Sequence, residues 1–365
     1  MTAQNRVRLD KIDGIRGWAA FVVLLFHVFG EMLKCAVPAI NSAWFAPLLA
    51  GDIAVLVFFV LSGDALSSAF FADGGNKVID RLLVRRYLRL TIPILMSCAI
   101  TYLIMVLGFD FHIQAAKVLQ RPDWLAQFLQ FKASIVGLLR YSLIGVYVSH
   151  TRELSYGPFL WTMSIEMIGS MLVFLLCYLW TTLKNPHWIC LVLTVWLTAL
   201  GSYFSLFFAG VLLGYCRQQG YFEKLLVSKS HQIAAPFILV AIAGMLILTE
   251  GLHKPIILTL PISMLLVFCF YTQKQIKRFF SNKLSRFLGD ISFTLYLIHF
   301  QVLISLMSWL VVKDFTFKGM IDQSAMLWIA FITVAVSLIM AWCFRYTERL
   351  VLKRADSLVL QVLNE

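Results

Sequence analysis

The stretch Leu9-Asp10-Lys11-Ile12-Asp13-Gly14-Ile15-Arg16-Gly17-Trp18, followed by an apolar run that reaches His27, decides how this chain is read. Ionisable groups are costly in hydrocarbon, so a span that carries them is a functional-site hypothesis by default. Arg16 and His27 are eleven positions apart. At about 100° per residue that is close to three helical turns, which predicts one shared helix face and an axial separation of about 16 Å. One group then lies near one membrane surface and the other toward the opposite half. That geometry suits a site that takes something from one side and uses it on the other.

The rest of the chain agrees with a bilayer setting. Of 365 residues, 60% are hydrophobic and 14% charged, and the mean hydropathy is +0.83. Soluble domains carry about 25% charged residues, so the composition predicts an all-α, polytopic membrane protein. Apolar segments fall near 14–34, 49–71, 90–108, 158–180, 188–203, 204–216, 233–250, 256–272, 289–312 and 322–344. About ten spans are expected, with 188–216 broken at Gly201-Ser202 and 134–149 a re-entrant or interfacial piece on the outer side. A rival count makes 134–149 a span and 188–216 one tilted helix. One integral domain over 1–350 is expected, then an interfacial tail over 351–365, where charge alternates with Leu and Val. Frayed polar ends are the alternative for the last ten residues.

Charge sets the orientation. The net charge of +12 sits in short loops between apolar spans, which points to topology control and contact with lipid headgroups rather than to nucleic acid. Arg6, Arg8 and Lys11 put the N-terminus inside. Arg81, Arg85, Arg86 and Arg89 mark the inside after the second span, the acid-free run Lys274, Lys277, Arg278, Lys283, Arg286 marks it again, and Arg345, Arg349, Lys353 and Arg354 leave the C-terminus inside. The N-terminal segment is read as an uncleaved first span. Seven cysteines, odd in number and without a Cys-x-x-Cys pair, read as packing residues. Seven scattered histidines lack zinc spacing, so no metal site is expected.

Three further clusters carry chemistry. Arg81, Arg85 and Arg89 repeat every fourth residue, with Arg86 three before Arg89. Such forks bind phosphate in bidentate fashion; plain positive-inside anchoring is the alternative. Thr162 and Glu166 lie one turn apart where a long apolar span opens at Trp161. A carboxylate there needs a cation, a proton or a hydroxyl as partner, or else acts as a helix N-terminal charge. Ser292, Tyr296 and His299 share a face at steps of four and three.

These pieces resemble the acyltransferase 3 family of membrane-bound acyltransferases. Asp13-Gly14-Ile15-Arg16-Gly17 with His27 is similar to its opening arginine–histidine motif, and Phe58-Phe59-Val60-Leu61-Ser62-Gly63 resembles the second-span motif. Arg86-Tyr87-Leu88-Arg89 resembles the arginine-x-x-arginine motif, and Trp161 to Glu166 the Trp-Ser-x-x-Glu-type segment. Gly289 to His299 resembles the Gly-x-x-Ser-x-x-x-Tyr-Leu-x-His segment, and Arg345-Tyr346-Thr347-Glu348 the closing motif. Two positions depart from the pattern. Asp64 follows Gly63 where an aromatic or aliphatic residue is usual, which bears on how that segment meets the acyl donor. Leu350 stands where proline often follows.

The resemblance implies transfer of an acyl group, with acetyl expected, from cytosolic acyl-CoA to a hydroxyl of a sugar, glycan or lipid-linked sugar in a bacterial inner membrane. No permanently bound cofactor is implied, acyl-CoA being a co-substrate. His27 is expected as general base or as an acyl relay, with Arg16, Asp13 and Glu166 beside it in catalysis. Histidine suits the task because its ordinary pKa of about 6.5 is near the operating pH. Arg85, Arg86, Arg89, Ser62 and Gly63 are expected to bind acyl-CoA, and Trp161, Tyr296, His299 and Glu348 to support acceptor or structure. Since the chain lacks the soluble hydrolase-like domain of some members, transfer is expected to finish in the membrane domain or pass to a separate protein. A proton-coupled carrier uses the same set of intramembrane ionisable groups and is the alternative from another class. A non-catalytic scaffold is a third, which that many costly polar groups disfavour.

Overall fold

A computed structural model describes residues 3–73, 76–249 and 255–362; for residues 3–11, 73, 76–78, 81, 84 and 354–362 it describes the backbone alone. The side chains of Arg6, Arg8, Lys11, Arg81 and Arg354, and residues 363–365 of the expected tail, therefore lie outside the described residues. Among the described residues there are helices and no strands. They are α1 (Ala3–Leu25, continued as a π-helix over Phe26–Met32), α2 (Gly51–Asp73), α3 (Asn76–Leu107) and α4 (His112–Val118). Next come α5 (Ile135–Arg140), a π turn at Tyr141–Gly145, α6 (Val146–Val148) and α7 (Thr162–Leu179), the last preceded by a 3₁₀ turn at Pro158–Trp161. They are followed by α8 (Pro186–Ala199), α9 (Phe204–Gln218), α10 (Tyr221–Val227), α11 (Lys229–Leu248), α12 (Ile256–Thr272) and α13 (Lys274–Phe279). Finally come α14 (Lys283–Val302), a π turn at Leu303–Met307, α15 (Ser308–Lys318) and α16 (Gln323–Val362).

Each of the ten apolar segments forms a helix. Among the described residues, seven helical stretches are long and apolar enough to cross a bilayer: Ile12–Met32, Gly51–Ala72, Arg85–Leu107, Pro158–Leu179, Lys229–Leu248, Lys283–Lys318 and Gln323–Lys353. The helices α8, α9 and α12 are shorter, at 14, 15 and 17 residues. Large apolar side chains face outward, among them Phe237 at 71%, Phe331 at 69% and Val192 at 63% exposure. That outer surface suits acyl chains rather than water. The chain breaks between α8 and α9, where Gly201 takes φ +67°. A left-handed residue ends a helix, so 188–216 is not one tilted helix. The helix α16 runs unbroken to Val362, so the described residues after Tyr346 are helical and continuous with the last apolar stretch.

The chain divides into two compact units. The first comprises residues 1–23, 50–83 and 165–292. Its packing depends on missing side chains: a Cβ on Gly63 would lie within 3.0 Å of the Phe207 backbone, and one on Gly210 would overlap the Val60 carbonyl. Small residues let α2 and α9 approach this closely, as membrane helices require. Gly17 and Gly289 do the same for α1 and α14. The Trp18 indole donates to Ser285 Oγ at 2.9 Å across that contact.

The second unit comprises residues 24–49, 84–164 and 293–365. Polar groups join α14 to α3: Ser97 Oγ donates to the Leu297 carbonyl at 2.8 Å, and Gln301 Nε2 to Ser97 Oγ at 2.8 Å and Thr101 Oγ1 at 3.0 Å. The wider winding at Leu303–Met307 leaves the Ile304 carbonyl to accept from Phe111 N–H at 3.0 Å. The segment 134–157 is a closed hairpin. Its helical arm follows α3 toward the α3 N-terminus, where Tyr87 OH donates to the Leu143 carbonyl at 2.8 Å and Tyr147 OH meets Thr91 Oγ1 at 2.8 Å. Its return arm ends at Tyr156, whose hydroxyl accepts from Ser134 N–H and donates to Ser134 O, both at 2.9 Å.

Candidate active site

His27 is the second residue of the π-helix that continues α1. Such local widening is frequent at functional sites because it re-aims side chains. The half-buried imidazole lies flat on the Phe159 ring, with centroids 4.0 Å apart and planes at 15°. Trp124 is stacked further out at 6.1 Å. On the other side His299 Nε2 stands 3.3 Å from His27 Nδ1. His299 is 1% exposed, and its Nδ1 is 3.0 Å from the Leu295 carbonyl one turn earlier in α14.

Each wall of this cradle is held from behind. The Tyr296 hydroxyl donates to the Phe159 carbonyl and lies 2.7 Å from Thr162 Oγ1, so α14 fixes the 3₁₀ turn that carries Phe159. The segment preceding α5 supplies the outer wall through Trp124. Arg121 lies over that indole at 5.8 Å. Its guanidinium is anchored to Glu31 Oε2 at 2.8 Å and Asp123 Oδ1 at 3.2 Å. Burial works against the Arg121 charge, yet the hydrogen bonds to Glu31 and Asp123 outweigh it and hold its pKa above the ordinary arginine value. Glu31 is four residues after His27 on the same π-helix, so the ion pair ties the loop to the backbone that carries the imidazole.

The remaining predicted residues fall in two groups. Asp13 and Arg16 pair within the first unit at 3.9 Å. Glu166 is half-buried in α7 and also belongs to the first unit, with Ser170 Oγ donating to its backbone carbonyl. Ser62 is buried in α2, and Gly63 packs on the Phe207 backbone. In the second unit Arg85 and Arg86 are half-buried and Arg89 exposed near the start of α3. Glu348 of α16 sits among the charges of Arg89, Arg345 and Arg349, which brings the arginine-x-x-arginine segment and the closing segment to one place. Trp161 is 36% exposed.

A family model described as an acyltransferase domain matches residues 9–346. The chain belongs to the acyltransferase 3 family. It is therefore an acyl-transferring membrane protein, and the motifs that carried the resemblance lie within the matched residues, save Thr347 and Glu348 at the end of the closing one. No curated protein and no solved structure matches this acyltransferase.

The Asp64 departure has a local explanation in this acyltransferase. Asp64 is fully buried; Arg217 of α9 donates to its Oδ1, and Tyr271 OH of α12 to its Oδ2 at 2.6 Å. An added carboxylate in α2 is thus met by a cation and a phenol from two other helices. Sequence spacing did not single out Arg217 or Tyr271, nor Glu31, Arg121, Trp124 and Phe159 around His27. Their only sequence signal is type: three charged residues and three aromatics at or near the ends of apolar segments, where interfacial residues are common.

Proposed function

We propose that this acyltransferase moves an acyl group, acetyl by default, from cytosolic acyl-CoA to a hydroxyl of a sugar, glycan or lipid-linked sugar, with His27 as the general base. The observation that carries the reading is the family match over residues 9–346, within which the arginine–histidine opening motif falls. In this reading the ten helices span the inner membrane of a bacterium with both termini cytosolic, the hairpin 134–157 is re-entrant, and lipids cover the outward apolar side chains.

The step balances without a metal or a resident cofactor. The acceptor oxygen attacks the thioester carbonyl while its proton passes to the imidazole. The C–S bond then breaks, and the imidazolium returns the proton to the CoA thiolate, so the products are an ester and free CoA. A hydroxyl is a weak nucleophile near neutral pH, which is why a general base is needed. Arg85, Arg86 and Arg89 supply guanidinium forks for the CoA phosphates. Ser62 and Gly63 are assigned to the donor's path, Asp13 to orienting Arg16, and Glu166 to the acceptor. Trp161 and Tyr296 line or brace the acceptor side, and Glu348 holds the arginine cluster in place.

The test uses the full chain in detergent or nanodiscs. Acetyl-CoA should raise its melting temperature, because a ligand that binds only the folded state stabilises it. Labelled acetyl should become covalently attached to a glycan acceptor with equimolar release of CoA thiol, and His27→Ala should abolish both while the protein stays folded. Substrate flux with no covalent change would instead identify a carrier and overturn the reading.

A further inference from the structure

We propose that His299 is the positioning residue of this site, its Nε2 accepting a hydrogen bond from Nδ1–H of His27 and so fixing His27 in the tautomer whose basic lone pair is on Nε2. The inference rests on the reading of His27 as the base.

The argument begins at a carbonyl. The Leu295 oxygen can only accept, and His299 Nδ1 is 3.0 Å from it, so the proton of a neutral His299 is on Nδ1. Its Nε2 then carries a lone pair and faces His27 Nδ1 at 3.3 Å. Two lone pairs would repel, so His27 Nδ1 is the donor. A neutral imidazole has one N–H, which leaves the lone pair of His27 on Nε2, on the far side of the ring from His299. One backbone carbonyl in α14 thus dictates, through two rings, which nitrogen takes the acceptor's proton.

The arrangement also serves the charged intermediate. When His27 Nε2 takes the hydroxyl proton, its Nδ1–H becomes a cationic donor to His299, and a hydrogen bond from a cation is the stronger kind. The Phe159 face 4.0 Å away adds attraction for a ring cation. The role is that of the carboxylate in a Ser-His-Asp triad, which holds the imidazole in one tautomer and stabilises its protonated form. Here a neutral, buried imidazole stacked on Phe159 fills that role, where a carboxylate would be costly to bury. The proton taken up by His27 returns to the departing thiolate. None crosses to His299, whose only N–H stays on the Leu295 carbonyl.

The experiment compares four proteins: wild type, His27→Ala, His299→Gln and His299→Phe. Gln keeps an acceptor oxygen; Phe keeps a ring without one. His299→Phe should lower kcat about 100-fold with KM for acyl-CoA within about twofold, and His299→Gln should recover at least about tenfold of that loss. Equal loss in Gln and Phe, or a Phe variant with wild-type kcat, overturns the positioning role while leaving the acyltransfer reading intact. An active His27→Ala overturns the base itself. Solid-state NMR of ¹⁵N-histidine-labelled wild type, with His27 assigned by difference against His27→Ala, reads the tautomer without altering His299. An Nδ1–H tautomer is expected, and an Nε2–H tautomer refutes the inference even where the His299 variants fail to fold.

Discussion

Asp64 of α2 and Arg217 of α9, 153 positions apart, form a buried ion pair in the first unit. The carboxylate has no exposure to solvent, and its second oxygen is taken by Tyr271. Removing one partner of such a pair leaves an uncompensated charge away from water, at a cost of about 3–5 kcal/mol. Asp64→Ala is expected to lower the melting temperature in detergent sharply. The double replacement Asp64→Leu with Arg217→Met should recover most of the loss, because it removes both charges. A single variant as stable as wild type would show that the pair contributes nothing.

Gly17 and Gly289 meet backbone to backbone, and a Cβ on Gly17 would fall 2.2 Å from the Gly289 nitrogen. No rotamer relieves that overlap, because the neighbour is main chain. Gly17→Val should therefore cost at least the 1–3 kcal/mol typical of overpacking and reduce the folded yield on size-exclusion chromatography. Gly244→Ala, where nothing lies within 4 Å of the added carbon, is the matched control and should behave as wild type.

Arg121 links Glu31, behind His27, to Trp124, in front of it. Cutting the link with Arg121→Gln should loosen the outer wall of the cradle. Misplacement of a catalytic ring by about 1 Å costs up to about 100-fold in rate, so kcat should fall by one to two orders of magnitude with acyl-CoA affinity retained. Trp124→Phe should retain more activity than Trp124→Ala, as scored by thiol release.

His112 is buried at the start of α4, with Nε2–H donating to the Phe128 carbonyl at 3.1 Å. Burial lowers its pKa below the ordinary 6.5, against smaller opposing effects from Phe128 and Asp110. The sign follows from linkage: the folded chain holds this ring neutral, so its contribution is fully present above pH 6.5 and is lost as pH falls from there toward the depressed value. In wild type the protection factors over residues 109–133, each referred to the intrinsic exchange rate at that pH, should fall as pH drops below 6.5. His112→Gln should lose that acid sensitivity; an unchanged profile in the variant would remove the histidine from the explanation.

Arg86 and Arg89 offer a separate test. Replacing both by Gln should raise KM for acyl-CoA more than tenfold and weaken its salt dependence while leaving kcat near wild type. A fall in kcat with KM unchanged would point to a structural role through Glu348.

Much of the fold was legible before any tertiary contact was known. Hydropathy located ten helical segments; length suggested the break of 188–216 at Gly201-Ser202 against a single tilted helix, and the left-handed backbone of Gly201 decided between them. The apolar stretch at 134–149 suits a span and a re-entrant segment equally in composition; only the contacts of Tyr87, Thr91 and Tyr156 show how it packs along α3. Asp64 read as an anomaly because its partners belong to helices far along the chain. The Ser292, Tyr296 and His299 pattern correctly placed polar groups on one helix, but only the tertiary structure shows that Tyr296 meets the Phe159 turn and that His299 meets His27.

What the amino-acid order alone determined is whatever local partition and local geometry decide: helices, their apolar lengths, the glycine break and the positions of costly polar groups. What the tertiary structure decided is which of those groups meet. His27 and His299 are 272 positions apart, and their contact depends on the rotation and depth of two helices. Those quantities are set by packing over long separations, as at Ser97 and Gln301, and residue spacing within a single helix carries no record of them.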